Sequence, residues 1–436
     1  MVRRWFVVWG ACALLGFALP AAGFHYNAAV GSTVYQYDGA FGQTPGNADT
    51  YFPLRFRADQ DTAVGNFGLV GNAEYHKWLG QPGDGKRLYY GYLRWRSPGE
   101  WVELDAGRQY IAAGATVGYI DGGRLTVRQD RKWSADVIAG ATVVPDFYKV
   151  RRFNATSAEE EAAYPYQYKD YQVLGARAGV NVDELASRFP FGLSLGASAN
   201  VTHRAGIEAR NVFGFDSSQD PFSRLKLIEE VQYDRIGGKV SYQYYAARYR
   251  PTDKLSSYVD YRRQEPRNID YASLFWIFGP RPRDRARVGM QYKFAPQAQP
   301  FVEYALTKRG ANQGDVYRAG LDQDFGYAFL EYGGYLGEGG RAFKGGDEMG
   351  AFASADFPKP VPAFEPLSLG LSADWRKYKP YSDTDDLGDS AFLADVHGSL
   401  KLWRYLTTTL GADWLTNPDV ANDIRAYVQI GLAVSG

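Results

Sequence analysis

Apolar and polar residues alternate strictly along much of this chain. From Arg285 to Phe294, the residues Ala286, Val288, Met290, Tyr292 and Phe294 fall on one face, with Arg285, Arg287, Gln291 and Lys293 on the other. Leu193, Leu195, Ala197, Ala199 and Val201 oppose Ser194, Gly196, Ser198 and Asn200. Leu367, Leu369, Leu371, Ala373 and Trp375 oppose Ser368, Gly370, Ser372, Asp374 and Arg376, and Ile424 to Val434 repeats the theme. A period of two means strands with one apolar and one polar face. The runs last about 10–12 residues, against about 5–6 for an ordinary strand, which is the length a tilted strand needs to cross a bilayer. Their polar faces carry charges such as Arg285 and Arg287, which suit a wet lumen better than a dry core. The pattern therefore places Val288, Met290, Leu195, Leu369 and Ile430 towards lipid, and Arg285, Arg287 and Gln291 inside.

The connections support the same reading. Tight links at Ser97–Gly99, Asp130–Lys132, Asp183–Pro190, Ile236–Gly238, Pro296–Pro300, Asp324–Gly326, Pro358–Phe364 and Arg404 alternate with longer ones along most of the chain, although Gly310–Gln313 is short where a long link is due. The longer links are Gly39–Thr50, Gly80–Gly85, Ala112–Gly122, Pro145–Asp170, His203–Ser223, Pro251–Asp284, Gly337–Gly346 and Pro380–Ser390. Barrels carry short turns on one rim and long loops on the other. The expected fold is an all-β, transmembrane, antiparallel up-and-down barrel of about twenty strands, with a range of eighteen to twenty-two because Ile269–Phe278 could add strands.

Composition narrows the chemistry. The 436 residues hold 49 Lys plus Arg and 49 Asp plus Glu, and this zero balance gives no electrostatic case for nucleic acid. The single cysteine is Cys12, so disulfide frameworks, zinc–thiolate sites, iron–sulfur clusters and CxxCH haem attachment are excluded beyond it. Met1 to Gly23 has a basic start (Arg3, Arg4), an apolar stretch from Trp5 to Leu19, and small residues at Ala21-Ala22-Gly23. That order is expected of a secretory signal peptide over 1–23, leaving 24–436 as the barrel.

On the export signal, the cysteine-free barrel region, the alternating strands and the phased links, the sequence resembles Gram-negative outer-membrane porins. The stretches Leu104-Asp105-Ala106-Gly107-Arg108-Gln109 and Tyr119-Ile120-Asp121-Gly122-Gly123-Arg124-Leu125 are similar to strands of sugar-exporting porins and of porin–cytochrome conduit barrels. Such barrels finish on an aromatic residue, whereas this sequence reads Ala433-Val434-Ser435-Gly436. The resemblance implies an outer-membrane location and outer-membrane lipid as solvent. It also implies insertion by the barrel-assembly machinery, small hydrophilic solutes as cargo, and no cofactor. Under the conduit alternative, a periplasmic multihaem cytochrome would be the partner.

The inward arginines Arg94, Arg96, Arg124, Arg128, Arg285, Arg287 and Arg376, with Asp374 and Glu303, are the candidate pore lining. Two readings stand: an eyelet that concentrates anions, or a balanced lumen in which the arginines pair with carboxylates such as Glu74, Glu103 and Asp105. Glu159, Glu160 and Glu161 lie in the Pro145–Asp170 connector and make it a candidate constriction loop; the bland reading is a solvated acidic run. Tyr271 to Phe278 is apolar for a water-facing link. Asp383–Asp389 packs carboxylates as a calcium loop does, but Leu387 stands where a ligand is wanted. Asp395 with His397, and Glu74 with His76, share a face at i, i+2, the arrangement of a base and its orienting carboxylate. The reading these features favour is a non-enzymatic, water-filled diffusion channel. The alternatives are a conduit scaffold and a barrel hydrolase.

Overall fold

The computed structural model describes residues 24–37, 48–78, 84–143, 171–185, 192–204, 206–265, 282–309, 312–326, 328–338, 348–358, 360, 366–378, 390–402, 406–417 and 420–435. The proposed signal peptide, Glu159–Glu161, Tyr271–Phe278 and Asp383–Asp389 lie outside the described residues.

Twenty-two antiparallel strands, numbered β1 to β22 in chain order, form one sheet. β1 (Phe24–Tyr37) pairs with both β2 (Ala48–Thr62) and β22 (Val420–Ser435), which closes the sheet into a barrel. Closure leaves no end strand, so the backbone N–H and C=O groups of the wall find partners within it. Asn27 pairs with Ser435, so both ends of the barrel meet at one rim, here called the turn rim. The opposite, loop rim carries the longer connectors, including 38–47, 144–170, 339–347 and 379–389.

Alternation sorts the side chains. Phe67, Leu93, Val137, Leu174, Phe213, Val288, Met290, Val302, Leu336, Leu410 and Ile430 are exposed on the outer face. Asp105, Gln109, Thr126, Asp136, Asn200, Thr202 and Asp260 are buried on the inner one. This is the reverse of a soluble protein, in which large apolar side chains go inside. Arg108, Asp121 and Glu229 are mid-strand exceptions that take outward positions in the register.

The strand count exceeds the expected twenty because two connectors each contain a strand. His203–Ser223, expected to be a loop, is occupied by β10 (Ile207–Phe222), and Pro251–Asp284 contains β13 (Leu255–Gln264). Adding a strand in each region moves the Ile236–Gly238 turn to the loop rim and restores the phase afterwards. Ala112–Gly122 is likewise no long loop. β5 (Val102–Ala113) and β6 (Thr116–Gln129) meet in a two-residue turn at Gly114 and Ala115, with Gly114 at φ +58°.

Candidate functional site: a charged lumen narrowed by a hairpin

The β5–β6 hairpin does not continue up the wall. Its tip bends across the inner faces of β7 (Trp133–Val143) and β8 (Tyr171–Asn181) to reach β9 (Ser194–Arg204). The Ala115 amide donates to Ser198 Oγ at 2.9 Å, and Asn200 Nδ2 donates to Thr116 Oγ1 at 3.0 Å. Beneath the tip, Ile111, Ala113, Ile120, Ile138 and Val173 form an apolar cluster inside the barrel. Gly107 (φ +131°) and Gly118 (φ +145°) provide the bends, in a backbone region where L side chains are strained. At Gly175 even a methyl group would collide with the Thr116 side chain, so the tip sits flush against β8. A hairpin therefore narrows the lumen from the loop side.

Ion-pair ladders cover the wall beside it. On β4 (Asp84–Arg96), Arg94 donates to both oxygens of Asp105 at 2.7 and 3.1 Å. Arg96 Nε lies 2.7 Å from Glu103, which also accepts from Arg128 Nη2 at 3.2 Å. Arg124 lies 2.7 Å from Asp136, and Thr126 Oγ1 donates to the same carboxylate oxygen at 2.6 Å. Register places Arg94 directly opposite Asp105 and Arg96 opposite Glu103, whereas Arg124, opposite Asp105 on one side and Ile138 on the other, reaches Asp136 on the diagonal. Arg177 continues the series to Asp216 at 2.8 Å.

The far wall is arranged differently. On β14 (Arg283–Tyr292), Arg287 lies 2.8 Å from Asp260, and Glu303 on β15 (Ala298–Arg309) accepts from the Tyr258 hydroxyl. Arg285 stands opposite Arg262 across β13 and β14, and Arg262 lies over the Tyr244 ring at 5.2 Å. Among the described residues neither has a carboxylate partner, so two like charges face each other in the lumen. Arg376 is forked onto Asp374, two residues away, at 2.9 and 3.1 Å. Towards the turn rim a cavity of about 500 Å³ gathers Glu303, Asp322, Asp324, Glu331 and Asp356. Arg318 stands among them, 2.7 Å from Glu331 and 4.4 Å over the Phe352 ring.

All nine candidate lining residues therefore sit on one face of the sheet, the one that looks into the barrel. Seven arginines are present and six of them are engaged, leaving Arg285 as the one without a carboxylate among the described residues. Sequence reasoning missed Asp260, Arg262 and Asp216, because they lie in segments read as connectors. Their signal was the outward period of Phe213 and Phe215, and of Val259 and Tyr261.

Of the two histidine pairs, His397 Nδ1 lies 2.7 Å from Asp395 Oδ1, whereas His76 is buried and stacked on Tyr51 at 4.2 Å. The nearby Ser399 hydroxyl shares a hydrogen bond with Thr409 at 2.7 Å.

No family model and no curated protein matches this chain. Among solved structures, it is similar to the P pilus usher (PapC) translocation pore, with a TM-score of 0.50 and 10% identity over 94% of this chain and 99% of that one. It also aligns with Pseudomonas aeruginosa OccK5 (OpdH), at a TM-score of 0.47 and 9% identity over 95% and 98% of the two chains. Pseudomonas aeruginosa OpdQ aligns at 0.47 and 11% over 94% and 99%. The likeness is one of fold: a closed, porin-like antiparallel barrel.

Proposed function

We propose that the protein is an outer-membrane channel through which small hydrophilic solutes or ions diffuse. The observation that carries this reading is the inside-out wall. An exterior of Leu, Val, Ile, Phe and Met encloses an interior of ion pairs and hydroxyls within a closed sheet. Such a surface is stable against hydrocarbon, and such an interior is stable only when wet. Sixteen- to eighteen-stranded porins leave an aqueous channel, and 22-stranded transporters hold a plugged lumen. Here the β5–β6 hairpin fills part of the lumen.

Solute handling follows from the two walls. The paired ladders on β4–β8 present donors and acceptors with little net field. Arg262 and Arg285 supply positive potential, and the carboxylate-rich cavity near the turn rim supplies negative potential. Ions crossing the barrel meet both. Reversal-potential measurements on purified protein in a planar bilayer test this directly, with Arg285→Glu expected to move selectivity towards cations. An impermeable bilayer at any voltage would refute the channel.

A further inference from the structure

Where β13 and β14 run side by side, their inner faces carry two successive cross-strand pairs of opposite character. Asp260 stands against Arg287 and pairs with it at 2.8 Å. One inward position nearer the loop rim, Arg262 stands against Arg285, like against like. Residues directly opposite have Cβ atoms about 4.5–5.5 Å apart, and like charges there are destabilising. Arg262 leans away from Arg285, onto the Tyr244 ring of β12 (Lys239–Tyr249). The carboxylates nearby are already engaged: Asp260 holds Arg287, and Glu230, two strands from Arg262, accepts from Gln232 at 2.9 Å. The ladder therefore concentrates uncompensated positive charge at one spot, against its own stability.

The chemistry of that spot is selective. A guanidinium presents donors in a planar fork and accepts nothing. Beside Arg285 on β15 stands Thr307, whose hydroxyl can donate as well. The complement is an anion built of acceptors. A chloride ion cannot fill two forks, and a carboxylate has oxygens for one fork and charge for one cation. A tetrahedral dianion has a pair of oxygens for each guanidinium and charge for both.

We infer that Arg262 and Arg285 form a binding site for a tetrahedral oxyanion, a phosphate group, on the loop side of the lumen. Arg285 lies two residues from the loop-rim end of β14, so a solute entering by that rim meets this site before the carboxylate cavity near the turn rim. The inference rests on the channel reading above and names a class of solute for it: phosphate, as the free ion or as the ester of a small hydrophilic molecule.

The test is equilibrium dialysis of the purified, micelle-solubilised protein against radiolabelled inorganic phosphate, at fixed ionic strength and at a mildly alkaline pH where phosphate is dianionic. Binding should saturate at one phosphate per barrel. Arg262→Gln with Arg285→Gln should weaken it about tenfold or more, the loss expected when hydrogen bonds to a charged group are removed. Circular dichroism should report the same β-sheet in both proteins. Arg318→Gln, which removes a cation from the turn-rim cavity, should leave phosphate binding in place. Sulfate should displace the label and acetate should not. Displacement by glycerol 3-phosphate assigns an ester as the source, and resistance to it assigns the free ion; both keep the site. Equal phosphate binding by the wild type and the folded double variant overturns the site, as does displacement by acetate as readily as by sulfate. Planar-bilayer current separates this inference from the reading beneath it. Current without phosphate binding sinks the site and leaves the channel, whereas binding that depends on the two arginines without any current sinks the channel and leaves the site.

Discussion

Arg108 and Arg285 show how position decides what a charge does. Arg108 points outward at mid-strand, where a lone arginine costs about 2–4 kcal/mol near the bilayer midplane. Asp121 and the Leu88 carbonyl offset that cost. Asp121→Leu removes the carboxylate from the guanidinium and should lower stability by about 2–4 kcal/mol, whereas Arg108→Leu with Asp121→Leu should cost less than the sum of the two single changes. Unfolding by guanidinium chloride in lipid vesicles measures both, and simple additivity would mean that the pair is not coupled. Arg285, by contrast, faces the lumen beside Arg262. The shift in selectivity caused by Arg285→Glu should shrink as salt rises, because the Debye length falls from about 10 Å at 0.1 M to about 3 Å at 1 M. A shift that ignores ionic strength would place this charge away from the wet path. The alternation of residues 285–294 made the face of Arg285 legible in the sequence. The partners of Arg108 were not, since its outward position follows a local departure from the polar-in pattern.

At the scale of elements, the β5–β6 hairpin is the part of the lumen that the sequence conceals. Its Gly-rich run reads as a loop, and its inward fold depends on contacts with Ser198 and Asn200, more than eighty residues away. Freeing the tip with Ser198→Ala and Asn200→Ala should raise single-channel conductance. Unchanged conductance would show that the tip does not narrow the path. Ile138→Ala, at the fully buried centre of the cluster, should cost about 2–5 kcal/mol by opening a cavity. β10 and β13 were concealed differently. Polar runs such as Asp216–Ser217–Ser218 and Tyr261–Arg262–Arg263 look like loops until the pairing of their neighbours forces them into the wall. Just beyond β13, Glu265 at the loop rim is held by Lys239 at 3.0 Å and Arg263 at 3.1 Å. Burial raises its pKa, but the hydrogen bonds from these two cations outweigh that and leave it below the usual carboxylate range. The link therefore stabilises the rim at neutral pH and is lost as pH falls through the lowered value. Hydrogen-exchange protection at the end of β13, corrected for the intrinsic pH dependence of amide exchange, should fall on acidification and keep a constant value in Glu265→Gln.

The whole molecule was the most legible level, since a period of two, long strands and phased links leave few architectures other than a barrel. Strand number was less so, because a pair of missed strands preserves the phase and produces no contradiction along the chain. An inside-out barrel requires its outer wall to be in lipid. Leu410→Arg should then cost about 2–4 kcal/mol if it sits near the midplane, while Ser372→Arg, facing the lumen, should be tolerated. Equal damage from the two would invert the wall.

Single-channel recording of the purified protein in a planar bilayer bears most directly on the central claim. The inside-out barrel predicts discrete, ohmic openings whose size grows when the hairpin tip is released by Ser198→Ala and Asn200→Ala. A folded, inserted protein that passes no current in either form would contradict it.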